Sequence, residues 1–261
     1  MSADGIHPVA AGGFSASASV YSRIRPTYAR AAIGRVAELV RATPAGADAR
    51  VLDVAAGTGI LTGQLTRARL RCTALEPLAE MIGQLRRALP DTPCARGTAE
   101  SLPFRPASFD AVSVAQAFHW FDAPVALAEL SRVLRDDGVL VLAWNVRDAS
   151  TPWVAELDDL VERRSGGRPY SNHDPAHWAG LIAAAGTFDP MVEERFDNPV
   201  PTTVDGVIDR VRSISFVATM PADEQDALFA EARTLLVDRH GLDGSFDYPH
   251  HTVLDWAVRV G

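Results

Sequence analysis

Two carboxylates and two glycines stand near one another in the first third of the chain. Asp53 lies within VLDVAAGTGILTGQL (Val51 to Leu65), ahead of Ala55, Gly57 and Gly59, and Glu76 follows 17 residues beyond Gly59. Gly57 and Gly59 can adopt backbone angles closed to other residues and leave room for a ligand to approach the main chain. A carboxylate at Glu76 can accept two hydrogen bonds from the hydroxyls of a ribose. One at Asp53 suits a ligand bearing positive charge rather than a pyrophosphate. A group able to exchange a proton near neutrality stands further on: His119, in the run Gln116 to Phe121 (QAFHWF).

The elements that must position these residues are legible around them. Val51 to Val54 is a short β-rich apolar run, as expected of a parallel strand covered on both faces. Ala55 to Gly59 is a tight small-residue turn, and a helix follows whose first N–H groups are unpaired and favour a polar or charged ligand. Arg71 to Glu76 (RCTALE) is a second strand ending in the acidic residue. Any α/β protein can contain a Gly-rich connector, so the turn alone leaves a plain connection open. A dinucleotide site would carry G-x-G-x-x-G, and here Thr62 stands in place of the third Gly. That departure, with Asp53, disfavours a nicotinamide-dependent oxidoreductase.

The pattern D-x-A-A-G-T-G, followed by an acidic residue closing the next strand, resembles the class I S-adenosylmethionine-dependent methyltransferases. Further matches are GTAESLPF (Gly97 to Phe104), SFDAVSVAQAFHWF (Ser108 to Phe121) and RVLRDDGVLVLAWN (Arg132 to Asn145). Upstream, YSRIRPTY (Tyr21 to Tyr28) is similar to the N-terminal segment of the type 11 small-molecule members. The resemblance is firm from Tyr21 to Asn145 and loose beyond. It implies S-adenosyl-L-methionine as cofactor, held by Tyr21, Arg25, Asp53, Ala55, Gly57, Gly59, Glu76, Pro77, Met81, Thr98, Ala99, Glu100 and Gln116. Family members often carry an acidic residue where Thr98 stands, which leaves Thr98 or Glu100 for the adenine amino group. Met81 is either simple core or the surface under the adenine, and Tyr21 to Tyr28 is either a packed arm or a lid. His119 is either the general base or a contact without proton transfer.

The resemblance implies methyl transfer to an O, N or C atom of a small metabolite. A protein that binds the cofactor without transferring methyl is the alternative. Composition narrows the partners. The chain has 261 residues, net charge −8 and 47% hydrophobic residues, which is ample for one core and unsuited to a phosphate backbone. Cys72 and Cys94 have no C-x-x-C spacing and are expected to be reduced structural residues. No metal site is expected, the pair His250-His251 beside Asp247 included. No targeting segment or membrane span is legible, so a cytoplasmic protein is expected. The sequence leaves oligomeric state open.

The expected fold is α/β: a doubly wound, Rossmann-like, mostly parallel seven-stranded sheet with an antiparallel edge strand and helical cover in the C-terminal half. Residues 1–19 read as a flexible tail and 20–261 as one domain, with the cofactor core over 20–145 and the substrate cover and last two strands over 146–261. Within it, helices are expected over Ala31–Arg41, Pro77–Leu89, Ala123–Leu134, Pro152–Arg164, Pro175–Ala185, Val204–Ser215 and Ala222–His240. Strands are expected over Thr92–Ala95, Phe109–Ala115, Gly138–Trp144, Met191–Phe196 and His251–Val260. Trp178, Phe216, Tyr248 and Trp256 are expected mostly in core. His173, His250 and His251 reach the site only if the C-terminal half folds over it.

Overall fold

A computed structural model describes residues 26–165, 173–214 and 217–260. Tyr21, Arg25, the 1–19 tail, Phe216 and most of the expected loop from Ser165 to Asp174 lie outside the described residues. The sheet is built by β1 (Arg50–Val54), β2 (Arg71–Glu76), β3 (Cys94–Arg96), β4 (Phe109–Ala115), β5 (Leu134–Arg147), β6 (Val192–Asp197) and β9 (His250–Val258), in the order β3-β2-β1-β4-β5-β9-β6. The first five strands pair in parallel. β9 runs antiparallel to both neighbours, so it lies one place in from the edge and β6 closes the sheet. A separate two-stranded ribbon, β7 (Val200–Thr202) with β8 (Phe246–Tyr248), has no counterpart in the sequence reading.

Helices cover both faces, which is why Val51 to Val54 is apolar without alternation. On one face α1 (Arg30–Ala42) and α2 (Ile60–Arg67) set Ile33, Val36, Val40 and Leu65 against Val51, Val139 and Val141. On the other, α4 (Ala123–Val133) and α6 (Pro175–Ala185) pack Leu127, Leu130 and Ile182 against Leu52, Val112, Leu140 and Leu142. α3 (Ala79–Ala88) follows β2 and buries Met81, Ile82 and Leu85. A third core belongs to the C-terminal half. There α5 (Pro152–Ser165), α7 (Val204–Arg212) and α8 (Ala222–Thr234) gather Trp153, Leu157, Val207 and Leu228 around Tyr248.

Boundaries have local causes. α6 begins where expected because Pro175 takes its first turn and the Asp174 carboxylate accepts the His177 N–H at 3.0 Å. β5 runs three residues past the apolar stretch because β9 continues to pair with it as far as Arg147. α8 ends at Thr234, earlier than expected, in a wider π-type turn over Leu235–Arg239. Among the described residues no helix is long and apolar enough to cross a membrane. Burial pushes the Cys72 thiol up to about 12, so it stays protonated and unreactive.

Candidate functional site at the strand ends

The sheet order reverses between β1 and β4, and crevices at such switch points, beyond the carboxyl ends of the strands, are where open α/β sheets bind ligands. Two non-glycine residues there hold left-handed backbone angles: Ala55 after β1 (φ 55°) and Gln116 after β4 (φ 55°). Such conformations are unfavourable for L-residues and concentrate at functional sites. Gln116 is fixed twice, its N–H donating to Ala143 O at 2.9 Å and its Nε2 to Asn145 O at 3.1 Å.

Asp53 lies beneath the turn rather than in the open crevice. It is fully buried, and both oxygens are taken by hydroxyls: Oδ1 accepts from Ser113 Oγ of β4 at 2.8 Å and Oδ2 from Thr62 Oγ1 of α2. Burial pushes its carboxyl up to about 6, against the pull of those two donors. Its described contacts therefore serve to lock the start of α2 onto β1 and β4. The sequence marks Thr62 only as the residue in place of a third Gly, not as a partner of Asp53, and does not single out Ser113. A hydroxyl amid the apolar residues of FDAVSVA was the available signal for Ser113.

Glu76 binds the turn from the next strand. Its Oε2 accepts the Gly57 N–H at 2.9 Å and its Oε1 the Leu78 N–H at 3.0 Å. Burial raises its pKa, while those two N–H groups draw it back. The two glycines divide the work. Gly57 (φ 58°) has open space where a Cβ would stand, with nothing within 4 Å. At Gly59 (φ 87°) a Cβ would come within 3.0 Å of Leu85 Cγ and 3.1 Å of Leu89 Cδ1. Gly57 leaves room for a ligand; Gly59 leaves room for the helix behind it.

The remaining candidates rim the same strand ends. Pro77 follows Glu76, and its carbonyl accepts from Arg96 Nε at 2.9 Å. Met81 is buried on α3. Thr98 bridges to Ser101, closing a tight loop in which Ala99 is buried and Glu100 Oε1 accepts the Asp122 N–H at 3.1 Å. His119 is half-buried in a single turn, Phe118–Trp120, with its ring 4.6 Å from Trp120 and 5.7 Å from Trp144. Trp178 and Tyr248 are core and Trp256 is half-buried. His250 is buried against Tyr248 O, and His251 lies between Asp148 and Asp197.

A polar net that the sequence reading missed holds the arm entering the domain. Asn145 Nδ2 donates to Pro26 O (3.1 Å) and Thr27 O (3.2 Å), and its Oδ1 accepts from Thr252 Oγ1 (2.7 Å) and Asn198 Nδ2 (3.0 Å). Thr252 Oγ1 in turn accepts the Ala29 N–H at 2.8 Å, and Gln64 exchanges two bonds with the Tyr28 backbone. The residues leading out of Tyr21–Arg25 are thus tied to the end of β5, beside Gln116.

Comparison with known proteins bears on the family and the fold. A family described as a methyltransferase domain matches residues 52–142. An uncharacterized methyltransferase of Mycobacterium tuberculosis is 36% identical over 232 residues, 89% of this chain and 88% of its own. A demethylmenaquinone methyltransferase of Renibacterium salmoninarum is 41% identical over 95 residues, 36% of this chain and 40% of its own. Among solved structures, the YcgJ protein of Bacillus subtilis aligns with a TM-score of 0.57 and 22% identity, over 89% of this chain and 100% of that one. A protein assigned as a type II methyltransferase of Anaeromyxobacter dehalogenans aligns at 0.62 and 24% identity, over 90% and 96%. Both structures share the fold.

Proposed function

Because the chain belongs to the class I S-adenosylmethionine-dependent methyltransferases, we propose that it methylates an O, N or C atom of a small-molecule metabolite. The observation that carries this reading is the Glu76 carboxylate, bound by one backbone N–H at each oxygen. Each oxygen keeps a lone pair for a ribose hydroxyl. The open space over Gly57 gives an adenosine-bearing cofactor room to lie against the turn, so the residues present fit S-adenosylmethionine.

When bound, S-adenosylmethionine supplies a methyl carbon made electrophilic by the adjacent sulfonium. The chain's own part is alignment and exclusion of water, which can account for roughly 7–11 kcal/mol of a barrier. In this reading Glu76 holds the ribose, while Pro77, Met81, Thr98, Ala99 and Glu100 surround the base. Ala55, Gly57, Gly59 and Gln116 shape the path to the amino-acid end, Asp53 fixes that path from below, and Tyr21 and Arg25 cover it. His119 takes the proton from the acceptor.

Calorimetry should show one S-adenosylmethionine, or one S-adenosylhomocysteine, bound per chain. Incubation with a metabolite panel should release S-adenosylhomocysteine. A response to NAD and to neither of these ligands would overturn the reading. His119→Ala should lower turnover by about 10²–10⁴-fold with affinity unchanged, the loss shrinking at high pH. Equal falls in turnover and affinity at every pH would make His119 a contact only.

A further inference from the structure

Two carboxylates meet on the sheet face covered by α6. Glu193 of β6 and Asp255 of β9 are register partners, so their side chains leave the sheet on the same side, where like charges repel. Asp255 is wholly buried. His173, just ahead of α6, completes the group, with its Nε2 3.0 Å from Asp255 Oδ2. Among the described residues this is the one group of three His, Cys, Asp or Glu side chains whose donor atoms all lie within 4.8 Å of one another. The second oxygen of Asp255, Oδ1, is buried with no hydrogen-bond partner among the described residues. A buried carboxylate oxygen left so is costly unless something cationic approaches it.

We propose that His173, Glu193 and Asp255 bind a divalent first-row transition-metal ion. One imidazole nitrogen with two carboxylate oxygens suits Zn2+ or Mn2+, whereas Mg2+ and Ca2+ prefer oxygen throughout. The 3.0 Å between His173 Nε2 and Asp255 Oδ2 matches two metal bonds of about 2.0–2.2 Å meeting near a right angle. All three donor atoms lie within 4.8 Å of one another, and two such bonds in a line span roughly 4.2 Å, so at most a small inward movement of one donor closes the set on a single ion. Glu193 is free to make it. Its present partner is Arg195 Nε at 2.7 Å in a partly exposed pair, and such pairs are weak. The ion offsets the two facing carboxylates and ties β6 and the approach to α6 onto β9. The His173 ring lies 5.8 Å from the ring of Trp144, a buried core residue of β5. None of this depends on methyl transfer.

The test uses tag-free full-length protein, stripped with a chelator and titrated with ZnCl2 or MnCl2 by calorimetry without cofactor. One ion per chain should bind and raise the melting temperature by several degrees, with no response to Ca2+. Glu193→Gln and His173→Gln should each weaken binding at least tenfold. His251→Gln, which alters the ring between Asp148 and Asp197, should leave it unchanged. Absence of saturable binding, affinity within threefold of native in Glu193→Gln, a Ca2+ response equal to that of Zn2+, or loss through His251→Gln would each overturn the site. Glu193 lies on the edge strand, so its isosteric variant decides the matter even if His173→Gln fails to fold.

Discussion

Glu76 serves the protein with both oxygens, each accepting a backbone N–H, and the proposed function gives the same two oxygens to the cofactor. A glutamine there keeps the shape but presents an amide N–H to one of the two backbone donors, Gly57 or Leu78, so one bond turns into a donor–donor clash. Hydrogen bonds to a charged group are worth roughly 1.5–3 kcal/mol, and losing one predicts at least a tenfold fall in S-adenosylmethionine affinity for Glu76→Gln. Calorimetry giving an affinity within threefold of native would restrict Glu76 to anchoring the turn. The glycines separate in the same way. Gly57→Ala places its methyl in open space, so the chain should fold, at a backbone penalty of about 1–2 kcal/mol, and lose cofactor binding. Gly59→Ala drives a methyl toward Leu85 and Leu89, so stability should fall more than affinity. Denaturant melts and calorimetry on both variants decide; the reverse pattern would place the ligand at Gly59. The sequence marks both glycines as special and gives them one task. The second task needs Leu85 and Leu89, carried by the next helix and its end, and no local pattern reports that contact.

Elements were legible wherever their causes are local. The Asp174-Pro175 cap defines the start of α6, and the uninterrupted apolar run from Gly138 to Trp144 defines the body of β5. Causes that act across the sheet were not legible: β5 outlasts its apolar run because β9 pairs with it, and Val200-Pro201-Thr202 becomes a strand only because Tyr248 and Phe246 lie opposite. The same blindness hid Asn145, which follows the end of an apolar run and gives no hint that it joins the arm at Pro26 and Thr27 to β9. Asn145→Ala removes both donations and leaves Thr252 Oγ1 and Asn198 Nδ2 without their shared acceptor. The unsatisfied groups predict a loss of about 1–3 kcal/mol, read from urea melts. The Ala29 amide, whose acceptor Thr252 is released, should exchange hydrogen faster. Unchanged exchange at Ala29 would mean the arm is held without Asn145, by Gln64 on Tyr28 and Asn198 on Thr27.

At the scale of the molecule, the cofactor half announced itself through motifs, whereas the C-terminal half folds around its own core from α5, α7, α8 and Tyr248. Its helices were foreseeable from apolar spacing, but their meeting at Tyr248 was not. The two halves also carry opposite responses to acid. Asp53 is buried in the cofactor half, and its carboxyl is raised from 3.8 to about 6 by desolvation. The folded state holds that proton more tightly than the unfolded one, so stability falls as pH rises from about 4 to about 6. His250 is buried against Tyr248 of the third core and lowered from 6.5 to about 4, desolvation again leading, with Arg210 and Arg147 adding to it. The folded state refuses that proton, so stability falls as pH drops from about 6.5 to about 4. Each shift of roughly two units corresponds to about 3 kcal/mol, and over the shared window the two contributions oppose each other. Removing one group should therefore expose the other. Asp53→Asn should lose stability relative to the native protein on acidification from pH 6.5 to pH 4.5, because only the His250 penalty remains. His250→Asn, whose amide can still donate to Tyr248 O, should gain relative to it over the same interval. Urea melts of the three proteins at both pH values provide the differences. A difference that stays constant with pH for either variant would show that its buried group titrates alike in the folded and unfolded chain.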